Sequence, residues 1–323
     1  MVERLPTEIV RGNSIRVLAT HACQERCFFC HNEGAIDYVH APIDIEEIVE
    51  FSRKARDEFG LNVVHLTGGE PTLHPQIVEL TKSLKDADFQ VRMTTNGDLE
   101  PELLDKIIDA GVDSINFSLH AITPEDFQAT QALSNLRKKP DYFSFLIDRK
   151  LSNINRARLR TNVKLNSVVI NSEITGRLID YALKEQIPLR LMRNLNNIEE
   201  SDFLIEKLLS ERGLKPIREQ IAKGDSGGSG TVYGYTDSEG KEAEVKVKKF
   251  GTVYLESICD GCVLRDTPRC RERFYGMRVG VNPQTHETEV GLCIDREDGE
   301  ASVSPEQIFK GRHYEALKKN YGA

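Results

Sequence analysis

Short runs rich in β-branched residues alternate with amphipathic helical patterns from residue 14 to about residue 193. Strands that alternate with helices form parallel βαβ units, so the chain is of the α/β class. The simplest closure of six such units is a partial, TIM-like (β/α)6 barrel, while periodicity alone leaves a flat doubly wound sheet open. The predicted strands are Ser14–Thr20, Asn62–Leu66, Gln90–Thr95, Ser114–Leu119, Asn162–Ile170 and Pro188–Arg193.

Helix boundary signals support this alternation. Residues 44–59 form an amphipathic pattern with Ile45, Ile48, Val49 and Phe59 on one face. Asp44 and Glu47 have the spacing of a capping box. Further helices are predicted from Pro101 to a stop near Gly111, and from the Thr123-Pro124 start.

The pattern changes after about residue 212, which predicts a partial barrel over residues 1–212 and a small α+β module over residues 213–323. The Gly- and Ser-rich stretch Gly224–Gly230 predicts a turn or disordered loop with no role in chemistry. Alternation over Thr231–Tyr235 and Ala243–Tyr254 predicts a hairpin. A capping signature at Ser304–Gln307 begins a last helix that is expected to reach Lys319.

Charge and hydropathy restrict the partners and the compartment. The 43 basic and 51 acidic residues give a net charge of −8, which disfavours nucleic-acid and membrane-surface binding. No apolar run approaches the ~20 residues that span a bilayer, and the N-terminus lacks a signal-peptide pattern. We therefore expect a cytoplasmic protein whose seven cysteines are thiols or metal ligands rather than disulfides.

Three cysteines follow the first predicted strand with C-x3-C-x2-C spacing: Cys23, Cys27 and Cys30. Three thiolates can hold three irons of a [4Fe–4S] cluster and leave the fourth iron open to another ligand. A zinc site would need a fourth ligand, which His21 or His31 could supply, and unconnected thiols are the remaining alternative. Phe28 and Phe29 are expected to shield a cluster from solvent.

The other four cysteines lie near the C-terminus: Cys259, Cys262, Cys270 and Cys293. A C-x2-C pair with two further cysteines indicates a metal site, but it does not distinguish zinc from iron–sulfur. Four thiolates would saturate a second cluster, which suggests electron transfer or a structural role. With one cysteine free, an open iron could bind substrate, or the thiol could donate hydrogen.

The N-terminal motif, followed by Gly68-Gly69-Glu70-Pro71 after the second strand, resembles the radical S-adenosylmethionine (SAM) superfamily. The resemblance implies that the open iron binds SAM and that Gly68, Gly69, Glu70 and Pro71 meet its amino group. It also implies that reductive cleavage of SAM yields a radical that abstracts hydrogen, and it makes an auxiliary [4Fe–4S] cluster the expected occupant of the C-terminal cysteines. Further SAM-site positions are expected at Thr95, Asn96 and Ser118.

From about residue 11 to residue 295 the chain most resembles the GTP 3′,8-cyclase family. Basic residues of that family meet nucleotide phosphates or the SAM carboxylate. The resemblance therefore assigns Lys164 and Arg190 to cofactor binding, and Arg16, His74 and Arg278 to substrate binding. The chain departs from the family in a fourth C-terminal cysteine, Cys270, in an Asn-Tyr-Gly-Ala ending instead of Gly-Gly, and in His74 where an arginine is usual.

The resulting expectation is a radical SAM enzyme with two [4Fe–4S] clusters, acting on a nucleotide or a sugar-derived metabolite. The reaction would be a cyclisation, a carbon–carbon bond formation or a rearrangement, with flavodoxin or ferredoxin as electron donor. One alternative is a dehydrogenase or epimerase of a sugar or aminoglycoside-type intermediate, and peptide modification is disfavoured because no docking domain is apparent before residue 14. Another alternative is a non-catalytic iron–sulfur or zinc scaffold.

Overall fold

The computed structural model describes residues 4–30, 42–131, 140–225, 227–249, 253–265, 267, 270, 274–282, 284–293 and 301–322. The strands are β1 (Thr7–Arg11), β2 (Ser14–Thr20), β3 (Val63–Gly68), β4 (Gln90–Thr95), β5 (Ser114–Ser118), β6 (Asn162–Val168), β7 (Leu189–Met192), β8 (Lys215–Lys223), β9 (Gly230–Thr236), β10 (Glu242–Lys248), β11 (Arg278–Val281), β12 (Thr288–Gly291) and β13 (Ser302–Val303). The helices are α1 (Ile45–Phe59), α2 (Ile77–Asp86), α3 (Pro101–Asp109), α4 (Pro124–Thr130), α5 (Pro140–Arg158), α6 (Ser172–Lys184), α7 (Ile198–Glu211), α8 (Glu256–Cys259), α9 (Pro305–Ile308) and α10 (Gly311–Tyr321). A single 3₁₀ turn covers Pro71–Leu73.

The six central strands, β2 to β7, are parallel and adjacent in chain order. Helices connect them, and β2 and β7 do not pair with each other, so the sheet is an open, partial barrel. This confirms the predicted fold class. The bounds of β2 and β4 are as predicted, and the other four strands differ by one or two residues at an end.

The residues after the barrel extend the same sheet at both edges. Strand β10 pairs parallel with β7 and continues into β9, β8 and β1. Strand β11 pairs parallel with β2 and continues into β12 and β13. The predicted break at residue 212 falls at the end of α7, but the segment that follows is shared between two edges. Its standing as a separate domain stays a prediction.

The barrel strands alternate between an apolar face and a polar face. On β2 and β3 the side chains of Ile15, Val17, Val64 and Leu66 are fully buried in one core that includes Ile48 of α1. Burial of each such side chain contributes about 1.5–3 kcal/mol. Because neighbouring strand residues point to opposite faces, Arg16 and its counterparts point away from the helices, into the barrel.

The ends of the helices mostly follow the sequence signals. The side chain of Asp44 accepts the backbone N–H of Glu47, and Gly60 ends α1 in a left-handed conformation. The capping box at Ser304 and Gln307 is present. The predicted helix from Ser304 to Lys319 is wrong, however, because the chain takes a positive φ of 64° at Gly311 and divides it into α9 and α10.

The predicted hairpin is confirmed over the described residues. Strands β9 and β10 pair antiparallel, and β10 ends at Lys248, before residues 250–252, which lie outside the described residues. Strands β1 and β8 were not predicted. In the described part of the chain, no helix has the length and apolar character needed to cross a membrane.

Candidate radical SAM active site

The loop that carries the first three cysteines is tied by its backbone to the end of β3. The N–H of Gly69 donates to the carbonyl of Thr20 at 2.8 Å, and the N–H of Glu70 donates to the carbonyl of Ala22 at 2.7 Å. Since Ala22 precedes Cys23, these bonds place the cysteine loop directly beside the Gly-Gly-Glu-Pro segment. Both lie at the carboxyl ends of the barrel strands, where sites of this architecture form.

The two glycines are required by this close approach of backbone to backbone. A Cβ on Gly69 would clash with the carbonyl groups of Ala22 and His21, and a Cβ on Gly68 would clash with the carbonyl of Thr20. Gly68 also has a positive φ of 133°, which side chains with a Cβ rarely adopt. The glycines therefore allow the cysteine loop itself to pack here, a reason the sequence did not reveal.

Glu70 joins the end of β3 to the end of β4. Its side chain is 1% exposed and accepts hydrogen bonds from the Thr72 N–H and hydroxyl, the Thr95 hydroxyl and the Asn96 N–H, at 2.6–3.1 Å. Burial raises the pKa of Glu70, and these hydrogen bonds act against that shift. Glu70 thus has a structural role, and its predicted contact with the SAM ammonium stays a prediction. The adjacent Pro71 begins the 3₁₀ turn.

Unsatisfied polar atoms mark a place for a polar ligand beside this junction. Among the described residues, Asn96 Nδ2, Gln24 Oε1 and Asn166 Oδ1 are buried and have no hydrogen-bond partner. Buried polar atoms normally find a partner, so these three await one. Asn166 on β6 pairs in register with Ser118 on β5. This donor and acceptor set fits the polar groups of SAM, and Asn166 was missed because it lies within a predicted strand.

The cysteine loop is also held by the elements after β4 and β5. Gln24 Nε2 donates to the carbonyl of Asp98 at 2.9 Å. The N–H of Arg26 donates to Gln131 Oε1 at 3.0 Å. Lys150, 1% exposed on α5, forms a buried ion pair with Glu25. A pair this buried imposes a fixed geometry, because either partner left alone would be an uncompensated charge.

The thiols of this loop are mostly shielded by protein. Burial raises the pKa of Cys23 to about 12 and the pKa of Cys27 well above its ordinary value. Gln131 Nε2 donates to Cys27 Sγ at 3.7 Å, while Cys30 is exposed. Phe29 is 9% exposed and Phe28 is 43% exposed, so the expected shielding is supported for Phe29 alone. Iron binds cysteine as thiolate, so loading these thiols must release protons.

The zinc alternative for this loop finds no support from the described histidine. His21 Nε2 lies 3.1 Å from the carbonyl of Val281, and His31 lies outside the described residues. Within the described ranges, no three His, Cys, Asp or Glu side chains are close enough together to hold a single metal ion. Three cysteines on one loop match the donor set of a cluster with one open iron.

The C-terminal cysteines follow a series of turns after α8. The N–H of Cys262 donates to the carbonyl of Cys259 at 3.1 Å, and that of Cys270 donates to Thr267 at 3.2 Å. Burial raises the pKa of Cys259, and Cys270 and Cys262 add to that effect, so these three thiols are neighbours. Cys293 follows β12 and packs partly against the main core. That all four bind one cluster stays a prediction.

A cationic surface, which we define as Arg16, Arg92, Lys164, Arg190, Lys246 and Lys248, lines the inner face of the barrel. Burial lowers the pKa of Lys164, and Arg190 and Arg92 lower it further. Burial also lowers the pKa of Lys246 to about 8, with contributions from Arg190, Lys248 and Lys164. These effects require the charges to lie close together, so the structure places Arg16, Lys164 and Arg190 near one another, and their roles in binding stay predictions.

Three members of the cationic surface were not predicted from the sequence: Arg92, Lys246 and Lys248. Arg92 pairs in register with His65, which pairs with Arg16. Lys246 on β10 pairs with Arg190 on β7. The alternating charges of Glu242–Lys248 resemble a solvated strand, and only the parallel pairing of β10 with β7 turns its lysines into the barrel. The strict alternation of valine and lysine over residues 245–248 is the sequence signal that could have predicted Lys246 and Lys248 on one face of a strand.

Two predicted substrate residues are more enclosed than expected. His74 is 1% exposed, and its Nδ1 accepts the N–H of Gln76 at 3.2 Å. This placement gives His74 a role in the turn before α2, and its contact with substrate stays a prediction. Arg278 is 3% exposed and pairs in register with Arg16. It adds positive charge behind the cationic surface but offers little area to a ligand.

Comparison with known proteins agrees with the geometry. The family model described as "Radical SAM superfamily" matches residues 17–178. A "Probable GTP 3′,8-cyclase" of Sulfurisphaera tokodaii is 33% identical over 67% of this chain and 68% of its own length. One from Saccharolobus solfataricus is 44% identical over 35% of this chain and 37% of its own length. The matches thus span from about a third to two thirds of these relatives.

Solved structures show the same fold at low identity. Streptococcus suis SuiB bound to S-adenosylmethionine aligns with a TM-score of 0.57 and 13% identity, covering 95% of this chain and 67% of SuiB. The protein anSMEcpe with bound AdoMet aligns with a TM-score of 0.51 and 14% identity, covering 95% of this chain and 83% of that protein. Family membership implies SAM and a [4Fe–4S] cluster, and it sets aside the non-catalytic scaffold. The chain belongs to the radical SAM superfamily, as an enzyme of the family whose relatives are named GTP 3′,8-cyclases.

Proposed function

We propose that this enzyme binds a [4Fe–4S] cluster through Cys23, Cys27 and Cys30 and acts on a small phosphate-bearing substrate, a nucleotide or a sugar-derived metabolite. The reaction class is cyclisation, carbon–carbon bond formation or rearrangement. When bound, the cluster and SAM supply one-electron cleavage of SAM and abstraction of hydrogen from the substrate. The chain's own residues bind and orient both molecules and exclude water.

The cationic surface is the observation that carries this proposal. Six basic side chains, five of them partly buried and Lys164 exposed, lie on one face of a protein whose net charge is −8. Clustering partly buried like charges is unfavourable until an anion neutralises them. Glu244, which lies near Lys164, is already engaged by Arg218 through two hydrogen bonds of 2.7 and 2.8 Å. A polyanionic ligand is the group that relieves this repulsion, and a triphosphate is such a group.

The binding of SAM is proposed at the strand ends beside the cysteine loop. Asn96 Nδ2 and Asn166 Oδ1 supply the unsatisfied donor and acceptor, with Ser118 beside Asn166 in register. Glu70 holds Asn96 in place, because its carboxylate accepts hydrogen bonds from the Thr95 hydroxyl and from the Asn96 backbone N–H. Gly68 and Gly69 keep the cysteine loop near enough for one ligand to reach both.

An auxiliary [4Fe–4S] cluster is proposed at Cys259, Cys262, Cys270 and Cys293. The proximity of the first three thiols supports a shared metal site, and the family of the barrel favours iron over zinc there. A saturated cluster there would transfer electrons or stabilise the fold. A small redox protein, a flavodoxin or ferredoxin, is the proposed electron donor.

Binding of GTP by the anaerobic, reconstituted enzyme tests the proposal, because the relatives bear that name. We expect GTP to bind at least tenfold more tightly than guanosine, and Lys164→Gln and Arg190→Gln each to weaken GTP binding about tenfold, or 1.4 kcal/mol. Arg158→Gln is the matched control, since Arg158 lies on α5 and pairs with Glu185.

Turnover completes the test of the proposed function. Reduced enzyme with SAM is expected to form 5′-deoxyadenosine faster when the phosphorylated substrate is present. Two results together would contradict an anionic substrate: wild type binding GTP and guanosine with equal affinity, and Lys164→Gln and Arg190→Gln binding GTP as tightly as wild type. Stimulation by a neutral sugar or an aminoglycoside instead would favour the dehydrogenase or epimerase reaction.

A further inference from the structure

Tyr275 lies where the two edges of the open barrel approach each other. Its ring centroid is 3.7 Å from Lys248 Nζ of β10 and 4.9 Å from Arg16 Cζ of β2. Strand β10 extends one edge of the six-stranded barrel and β2 forms the other. A third cation, Arg278 of β11, has its Cζ 5.9 Å from the same ring. One phenol is therefore contacted by cations from both sides of the opening.

The contacts on Tyr275 favour its ionised form. Lys248 Nζ donates a hydrogen bond to the phenol oxygen. Burial alone would raise the pKa of Tyr275, but Lys248, Arg16 and Arg190 outweigh burial and lower it to about 8. Burial in turn lowers the pKa of Lys248, while Tyr275 opposes that change. A phenol with this environment can give and take a proton near neutral pH.

Asp225 lies behind this pair, in the Gly- and Ser-rich stretch predicted to have no chemical role. It is 4% exposed, its Oδ1 accepts the N–H of Gly227 at 2.9 Å, and its Oδ2 has no hydrogen-bond partner among the described residues. Burial raises the pKa of Asp225 to about 6, opposed by Lys248 and Arg16. The described residues of this stretch thus form a packed turn with a buried carboxyl group.

The C-terminal helix encloses Asp225 from the other side. Tyr321 of α10 is 9% exposed, and the charge of Asp225 contributes to a raised pKa of Tyr321. A Cβ on Gly224 would clash with the Tyr321 ring, so the turn and the helix are in direct contact. Tyr275 is partly exposed whereas Asp225 is buried, so the phenol is the more accessible of the two groups.

We propose that Tyr275 is an acid–base residue of this enzyme, whose phenol exchanges a proton with an oxygen of the bound substrate. The O–H bond of Tyr275 breaks as a new O–H bond forms on the substrate, and the phenolate left behind is held by the Lys248 ammonium. The reverse transfer restores the phenol, so no electron is gained or lost. This inference rests on the proposed function, because it requires an oxygen-rich substrate beside the cationic surface.

An ultraviolet pH titration of the anaerobic holoenzyme tests the phenol without any substrate. The chain has nine tyrosines and no tryptophan, so the difference between wild type and Tyr275→Phe isolates one phenol at 295 nm. We expect a midpoint of about 8 in wild type and a midpoint two or more pH units higher in Lys248→Met. Tyr233→Phe, on β9, is the control and should leave the midpoint near 8 in place. A wild-type midpoint of 10 or above would overturn the proposal.

Nucleotide binding tests whether the same phenol meets the ligand. Ionisation of Tyr275 adds a negative charge beside the cationic surface, and Lys246 loses its positive charge over the same pH range. We therefore expect GTP affinity to fall between pH 7 and pH 9 in both proteins, and to fall about tenfold further in wild type than in Tyr275→Phe. Parallel pH dependence in both proteins would overturn the proposal while leaving GTP binding intact. Absence of GTP binding at every pH would instead count against the proposed function, and the titration would still decide the state of Tyr275.

Discussion

The two cysteine groups differ in how the fold holds them. The backbone and side chains of residues 22–30 form hydrogen bonds or ion pairs with Glu70, Asp98, Thr130, Gln131 and Lys150, all distant in sequence. Among the described residues, the backbone bonds of Cys259, Cys262 and Cys270 instead join residues three or four positions apart. The first site is therefore held by distant parts of the barrel, whereas the backbone contacts described for the second are local turns.

Thiol reactivity is expected to show the largest contrast. Burial raises the pKa of Cys23 from 9.0 to about 12, so its thiolate fraction at pH 8 is about a thousandfold below that of an unperturbed thiol. Iodoacetamide should therefore modify Cys23 in metal-free protein far more slowly than Cys262, as followed by mass spectrometry. The rate at Cys23 should rise about tenfold for each pH unit above 8. Equal rates at both cysteines would remove the contrast.

The same shift makes metal-free protein less stable in alkali. Between pH 9 and pH 12 the unfolded chain loses the Cys23 proton while the folded chain keeps it. The unfolded state then binds fewer protons, so the free energy of unfolding falls as pH rises through this range. Urea unfolding at several pH values measures how steeply the free energy of unfolding falls with pH.

The buried ion pair beside the first site offers the next largest effect. Lys150→Met leaves Glu25 buried without its partner, which should lower the free energy of unfolding by about 3–5 kcal/mol. Lys319→Met is the matched control, because Lys319 pairs with Glu256 of α8 on the surface and such pairs contribute about 0–1 kcal/mol. Urea unfolding of the anaerobic holoenzyme compares the two. Similar losses in both variants would contradict the difference between the regions.

A smaller effect is expected from one added methyl group. Gly69→Ala forces a Cβ against the carbonyl of Ala22, at a cost of about 1–3 kcal/mol, and should reduce iron at the first site. Gly261→Ala has open space around its Cβ and only the strain of a positive φ of 76°, about 1 kcal/mol. Iron content should therefore fall in Gly69→Ala and be kept in Gly261→Ala. The opposite result would show that the second site is the more tightly specified one.

The smallest predicted effect concerns the reduction potential of the first cluster. Gln131→Leu removes an amide that donates to Cys27 Sγ, and loss of a hydrogen bond to sulfur should make the potential more negative. A hydrogen bond of 0.5–1.5 kcal/mol corresponds to about 20–60 mV for one electron. Gln128→Leu, on the helix that ends just before Gln131, is the control for an EPR-monitored redox titration. An unchanged potential in Gln131→Leu would show that this contact has no electronic effect.

Local patterns were sufficient to predict the barrel but not the strands that extend it. The β-branched runs at Ser14–Thr20 and Gln90–Thr95 match the observed strands because each is bounded by clear turn or helix signals. Strands β1 and β8 pair across more than 200 residues, as in Ile9 with Ile221, and both carry charged residues throughout. Such pairings depend on tertiary structure, so no sequence window contains them.

The same limit applies to the candidate site. Motif spacing identified Cys23, Cys27, Cys30 and the Gly-Gly-Glu-Pro segment as candidate site residues, because each motif lies within a few consecutive residues. Lys246, Lys248 and Tyr275 reach the cavity only through the edge strands, and Asp225 lies in a stretch that resembles a flexible linker. Their function depends on burial and neighbouring charge, which composition does not reveal.

The most direct test of the account is the iron and sulfide content of anaerobic protein, together with EPR spectra with and without SAM. Wild type should contain about eight irons and show a signal that SAM perturbs, and the Cys23/Cys27/Cys30→Ala variant should contain about four irons and no SAM-sensitive signal. Such a result would establish one open cluster in the first site and one cluster at the C-terminal cysteines. About four irons in wild type and none in the variant would contradict the second cluster, and a signal indifferent to SAM would contradict the central claim itself.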